Sequence, residues 1–206
     1  MLRTLLILFA LTLPSAAKQV TMRIPLEPGP EPEEVAVVTF DDSRISAADV
    51  KHSMLLHENG YYATPAIGAY GECKAEDVAR MEHDIHNAGR IIEQLDPQQF
   101  PAELSGVVIY LNNLQSFWLW QAQQELVFLK SGTAPDTEFT GVDLDRCQVH
   151  PETLPGTQAC NQAFYTWHNC ADNTVREQLG EYPKHVWKAF LDAYGIQERV
   201  ESTVDD

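Results

Sequence analysis

The residues of this chain best suited to metal chemistry lie in the segment MEHDIHNAGR, residues 81–90. On a helix, Glu82 and His86 are four positions apart and His83 and His86 are three positions apart, and both spacings place two side chains on one face. His52, on the preceding segment, supplies a further imidazole if the two segments form a helical hairpin. Imidazole and carboxylate groups suit zinc or copper, so these four residues make up a candidate metal site.

The simpler interpretation, which we prefer, is that these side chains are solvated or hydrogen-bonded. The chain lacks the HExxH order of zinc proteases and does not repeat the Glu-x-x-His pair of di-iron bundles. It also contains no Gly-x-Ser-x-Gly elbow, P-loop or Rossmann glycine pattern. We therefore predict no catalytic residue and expect no cofactor. A zinc- or copper-binding protein or metalloenzyme using Glu82, His83 and His86 is the alternative.

The four cysteines predict disulfides whose pairing is restricted by distance. In the stretch CNQAFYTWHNC, Cys160 and Cys170 are ten positions apart. One helix carrying both would separate them by roughly 15 Å, whereas bonded cysteines have Cα atoms within about 7 Å. We favour Cys147–Cys160 with Cys73–Cys170, because closing the proline-containing loop before Cys160 stabilises the fold by about 3 kcal/mol. The pairing Cys73–Cys160 with Cys147–Cys170 remains open.

The aromatic residues between these two cysteines are typical of a helix core. Phe164, Trp167, Ala171 and Val175 recur at the spacing of one helical stripe. No Cys-x-x-Cys or Cys-x-x-Cys-His motif occurs, so covalent haem, a thioredoxin-like motif and a zinc ribbon are not indicated. His168 adjoins the stripe, and we expect it to be a surface or capped residue.

The first 17 residues, MLRTLLILFALTLPSAA, have the pattern of a secretory signal peptide. Arg3 supplies the positive end, and the apolar run that follows is shorter than the ~20 residues needed to span a bilayer. Small residues precede a predicted cleavage after Ala17. We therefore expect a periplasmic or secreted protein, in which an even number of cysteines forms disulfides.

Charge restricts the choice of partner. The chain has 14 basic and 30 acidic residues; removing residues 1–17 takes away Arg3 and no acid, so 13 against 30 leaves −17. This charge repels nucleic acid and anionic lipid, and no later segment has the composition of a membrane span. We predict a binding or interaction module with a cationic protein partner.

Apolar periodicity predicts the elements that must position these residues. The first expected helix has Ser46 as its N-cap and ends at Gly60, and the second runs from about Ala75 to Asp96-Pro97. The third begins after Pro101 and ends at Lys130, with Gly106 as a candidate break; the fourth runs from Cys160 to Leu179, and the fifth from after Pro183 to Gly195. Two short strands are plausible in the N-terminal arm, residues 133–159 are expected to form a long loop, and the tail VESTVDD is expected to fray. The prediction is an all-α fold, a helical bundle of about five helices with a short extended N-terminal arm, stapled by two disulfides.

These elements suggest a division into a signal peptide (1–17), an extended N-terminal arm and linker (18–44) and a disulfide-stabilised helical domain (45–206). The connection between the first two helices holds Tyr61, Tyr62 and Tyr70. Tyrosines on a tethered loop suit protein or sugar contacts. Carbohydrate binding through this loop is therefore a second alternative function.

Overall fold

The computed structural model describes residues 18–25, 34–62, 78–148 and 157–202 of the 206-residue chain. Five α-helices occur in this part: α1 Ala47–Tyr62, α2 Val78–Glu93, α3 Ser105–Ser131, α4 Gln158–Leu179 and α5 Lys184–Tyr194. Five strands accompany them: β1 Gln19–Pro25, β2 Glu34–Asp41, β3 Glu138–Phe139, β4 Val142–Asp143 and β5 Gln197–Ser202. The predicted signal peptide lies outside the described residues.

The fold is mostly helical, but the all-α prediction is wrong because β1, β2 and β5 form a three-stranded antiparallel sheet with β2 in the centre. The β-branched run of β2 has few helix formers and buries residues on both of its faces. A central strand of this kind needs a partner on each side. The C-terminal residues 197–202 supply one, so the predicted fraying of Val200 to Ser202 is also wrong.

One core lies between this sheet and the helices α1 and α5. Alternate side chains of β2 face it, as the two-residue period of a strand requires. They pack with the first half of α3 and with Trp187 and Phe190 of α5. The extended N-terminal arm is therefore part of the same packed core as the helices, and Ile24 of β1 is fully buried in it.

A second core lies between α3 and α4. Phe164 and Trp167 are 0% and 2% exposed there, which confirms the predicted core stripe of α4. Phe117 and Phe128 of α3 face them. The helix α2 covers another side of α3, where Met81 meets Ala122 and neighbouring leucines. α3 is thus the helix around which the others pack, as its nearly continuous apolar sequence predicts.

Several boundaries differ from the predictions. Helix α1 continues through Gly60, which was expected to end it, and reaches Tyr62. Helix α3 has no break at Gly106; it begins at Ser105 after two short 3₁₀ turns. The described part of the predicted loop 133–159 contains the hairpin β3–β4, which turns at Thr140 and Gly141 with φ of 46° and 83°.

The described residues contain one disulfide, Cys147–Cys170, with Cα atoms 5.5 Å apart. The favoured pairing Cys147–Cys160 is therefore wrong, whereas the exclusion of Cys160–Cys170 is confirmed. The β3–β4 hairpin leads into a 3₁₀ turn that places Cys147 beside the middle of α4, with its sulfur 3.8 Å from Thr174 Oγ1. Cys160 is also disulfide-bonded. Cys73 lies outside the described residues, and its pairing with Cys160 stays a prediction.

Candidate functional site

The residues of the predicted metal site on α2 have other partners. Glu82 forms an ion pair with Lys130 of α3. His83 Nε2 lies 3.0 Å from Asn87 Nδ2, one helical turn along. His86 is exposed to solvent. Such contacts are the ones expected if these side chains are solvated or hydrogen-bonded rather than bound to a metal.

His52 lies on α1, where its ring stacks on Phe100 with the two centroids 4.3 Å apart. Within the described parts of the chain, no group of three or more His, Cys, Asp or Glu side chains is arranged to hold a metal ion. The zinc or copper hypothesis stays a prediction. The tyrosine hypothesis is also untested, because Tyr70 and the side chains of Tyr61 and Tyr62 lie outside what the structure describes.

A cleft of about 510 Å³ lies where three separate segments of the chain meet, and we call it the acidic cleft. It is lined by residues 42–46 between β2 and α1, by Asp49 in the first turn of α1, by residues 98–101 before α3, and by Tyr194 at the end of α5. Tertiary packing alone brings these segments together. No local motif marks them as one site.

The connection between β2 and α1 is shaped by its own polar groups. Ser43 donates from its backbone N and its Oγ to Asp41 Oδ1, at 2.9 and 2.6 Å. These bonds hold the pKa of the Asp41 carboxyl below its usual value. The Arg44 guanidinium donates to the carbonyl of Ala193, in the last turn of α5. The cation of the cleft is thus bound to the negative end of a helix dipole.

Asp49 is positioned by the helix start that the sequence predicts. Its backbone N donates to Ser46 Oγ at 3.1 Å, and Ser46 Oγ donates in turn to Asp49 Oδ2 at 2.7 Å. This reciprocal contact confirms Ser46 as the N-cap of α1. It also holds the carboxylate of Asp49 at the wall of the cleft.

The groups around the cleft shift the pKa of Tyr194. Its hydroxyl donates to both carboxylate oxygens of Glu103, each at 3.1 Å. Desolvation raises the pKa of Tyr194. The pKa is raised further by the hydrogen bond and charge of Glu103 and by the charge of Asp49, and only the charge of Arg44 lowers it. Carboxylates therefore outweigh the single guanidinium at this point of the cleft.

Part of the remaining wall is apolar. Phe100, which is buried beneath the stacked ring of His52, Pro101 and Ile45 line this part, and Gln98 and Gln99 line the rest. An apolar wall beside carboxylates suits a long side chain with a charged end, because Lys and Arg bury their methylene stems while the head group stays polar. The arrangement can accept a cationic side chain.

Sequence reasoning also missed a buried polar pair between α3 and α4. Glu125 is 0% exposed, and its Oε2 lies 2.8 Å from His168 Nε2. Gln121 Nε2 donates to the backbone carbonyl of His168 at 3.2 Å. His168 is therefore half-buried and hydrogen-bonded rather than at the surface. The sequence did contain a sign of this pair: Glu125 follows Phe117 and Gln121 at four-residue intervals, so it lies on the buried face of α3.

The chain matches no protein-family model, no curated protein and no solved structure. No helix in the described ranges has the length and apolar character needed to cross a membrane.

Proposed function

We propose that the protein is an interaction module whose acidic cleft binds a lysine- or arginine-rich segment of a cationic protein partner. The observation that carries the proposal is the cleft itself. Asp42 and Asp49 line it, and Glu103 accepts a hydrogen bond from Tyr194, which also lines it. Three carboxylates are thus close to the cleft, compared with one guanidinium, that of Arg44, which is already bound to the end of α5.

The energetics favour a cation in this position. Two unit charges 4 Å apart interact by about 1 kcal/mol in water and by about 4 kcal/mol near a protein surface of lower effective dielectric. Desolvation and screening reduce the net gain of an exposed pair to about 0.2–1 kcal/mol. Several carboxylates around one concave site therefore give moderate affinity and high salt sensitivity, which is typical of a reversible interaction.

The charge of the whole chain supports the same partner chemistry. At −16, the protein attracts cationic molecules over distances of about 8 Å at physiological salt. The Cys147–Cys170 disulfide fits the expected export to an oxidising compartment. The negative charge and the disulfide together favour a partner that is basic and exported.

The test measures binding of a fluorescent octalysine peptide by anisotropy, with octaglutamate as the negative probe. We expect Asp42→Asn, Asp49→Asn and Glu103→Gln each to weaken octalysine binding about three- to five-fold, because each removes about 1 kcal/mol of attraction. The amides preserve the Ser46 and Tyr194 hydrogen bonds, so the fold is retained. Raising the salt concentration is expected to weaken binding by the wild type.

The matched control is Asp136→Asn, which removes one exposed charge beyond α3, where Asp136 N bonds to Gln124 Oε1. We expect this variant to bind octalysine like the wild type. If Asp136→Asn weakens binding as much as Asp49→Asn does, the attraction comes from net charge and the acidic cleft is not the site. Binding that is indifferent to salt contradicts the electrostatic argument altogether.

A further inference from the structure

A second cleft is lined by two cationic side chains, Arg176 and Lys184, and one carboxylate, Glu181, and we call it the basic cleft. Its volume is about 540 Å³, within the range of pockets for small molecules. It is lined by Tyr110 of α3, by Arg176 of α4 and by the residues around the α4–α5 connection, which are Gly180, Glu181, Tyr182, Lys184 and His185. A concentration of cationic groups is unexpected on a chain with 30 acidic and 14 basic residues.

Arg176 is held in a defined position at this cleft. Its Nε donates to Asp172 Oδ2 at 2.7 Å, and its guanidinium lies over the ring of Trp118, 5.3 Å from the centroid. Trp118 Nε1 donates to the other oxygen of Asp172 at 2.9 Å. The bond to Asp172 uses Nε, so the two terminal nitrogens keep the planar fork with which arginine binds carboxylate and phosphate.

The aromatic wall of the cleft is also held in place, by contacts between Tyr182 and the residues packed against it. Tyr182 Oη lies 2.9 Å from His57 Nδ1, and the ring of His57 stacks on Trp187 with centroids 4.2 Å apart and planes 6° apart. Burial lowers the pKa of His57 to about 4, so the imidazole is neutral near pH 7. Tyr110 meets Tyr182 edge to face at 5.6 Å. Tyr182 is thus positioned by His57, and Tyr110 by its contact with Tyr182.

Lys184 and His185 lie at the start of α5 and are exposed to solvent. Within the described residues, neither side chain forms an ion pair or a side-chain hydrogen bond. Lys188, one turn further along the same helix, differs because it pairs with Asp192 at 3.0 Å. The ammonium of Lys184 is therefore available to a ligand in the cleft, whereas that of Lys188 is paired.

The geometry points to the basic cleft as a binding site for a small organic anion that carries an aromatic ring, an aryl carboxylate or aryl phosphate. Lys184 and the two terminal nitrogens of Arg176 supply the donors for the anionic group, and His185 offers a further ring nitrogen beside them. Tyr110 and Tyr182 supply the ring contacts, which are favourable in offset or edge-to-face arrangements. This inference is independent of the acidic cleft, because it concerns other residues and a ligand of the opposite charge.

The test titrates the full mature chain with phenyl phosphate and benzoate by isothermal calorimetry at low salt. Benzamide, the neutral counterpart of benzoate, and inorganic phosphate, which lacks the ring, are the comparison probes. We expect millimolar or tighter binding of the two aryl anions and clearly weaker binding of both comparison probes. Lys184→Gln is expected to weaken phenyl phosphate binding about five-fold, and Glu181→Gln to strengthen it about two-fold.

Lys188→Gln is the matched control, because it removes the same charge from the same helix outside the cleft, and it is expected to leave binding unchanged. Three results would each overturn the inference. These are equal binding of benzamide and benzoate, equal binding of inorganic and phenyl phosphate, and equal effects of Lys188→Gln and Lys184→Gln. Absence of calorimetric binding by both aryl anions at millimolar concentration also refutes it.

Discussion

Acidification is expected to destabilise the fold through the imidazole of His57. Its ring is packed between Trp187, at 4.2 Å, and Tyr182, at 6.0 Å between centroids. Burial lowers its pKa from 6.5 to about 4. The folded protein therefore binds this proton less readily than the unfolded chain, so the contribution of the neutral imidazole to stability is complete only above pH 6.5 and is lost as the pH falls towards 4.

The size of the effect follows from the difference between the two pKa values. As the pH falls from 6.5 to 4, the unfolded state gains a proton that the folded state does not hold. The corresponding loss of unfolding free energy is about 3 kcal/mol. Because the ring of His57 is only half-buried, solvent screens the charged form, so we expect a loss of about 2 to 3 kcal/mol.

The assay is urea unfolding followed by tryptophan fluorescence, for the wild type and His57→Phe, at pH values from above 6.5 down to 4. Phenylalanine keeps the stacked shape on Trp187 and loses the contact with Tyr182. We expect His57→Phe to be less stable than the wild type by about 1 kcal/mol above pH 6.5. At pH 4 we expect it to be as stable as the wild type or more so.

The difference between the two proteins isolates His57. Burial raises the pKa of Glu198, which favours folding as the pH falls, and Asp41 loses its stabilising ionised form only below pH 3.8. Both groups are present in both proteins and cancel. If the stability curves of wild type and His57→Phe stay parallel from pH 6.5 to 4, the reasoning is refuted.

Two further predictions concern contacts between elements. Replacing Cys147 by Ser opens a loop of sequence separation 23 and is expected to lower the unfolding free energy by about 3 kcal/mol. Non-reducing peptide mapping is expected to link Cys147 to Cys170 and, by elimination, Cys73 to Cys160; a Cys147–Cys160 peptide contradicts the fold of the β3–β4 hairpin. Replacing Glu125 by Ala is expected to cost about 3 kcal/mol in thermal unfolding, because it creates a cavity and removes a buried hydrogen-bond partner, whereas Gln is expected to cost about 1 kcal/mol. Equal stability of the Ala and Gln variants refutes a structural role for the carboxylate.

Much of the helical framework can be predicted from local sequence. Helix α5 begins after Pro183 and ends at Gly195, as predicted, because proline suits a helix start and the glycine adopts a φ of 64° at its end. Ser46 caps α1 as predicted, since the cap is a contact over three residues. Such features depend on neighbours in the chain, and a single sequence contains all the residues involved.

Other features depend on partners that are far away in the chain. β5 has the sequence QERVES, which lacks strand alternation and pairs only because β2 presents an open edge. Glu125 and His168, 43 positions apart, become partners only when α3 and α4 pack. The disulfide follows the same rule, because a hairpin without a strong sequence pattern decides which cysteine Cys147 meets.

Both candidate sites belong to this second class. The acidic cleft takes residues from near β2, α1, α3 and α5, and the basic cleft takes residues from α3, α4 and the connection to α5. Local sequence is sufficient for the helices and for the acidic character of the chain, because periodicity and charge are properties of short segments. Tertiary packing decides the sheet, the disulfide and the clefts, because each requires side chains that are distant in sequence to meet.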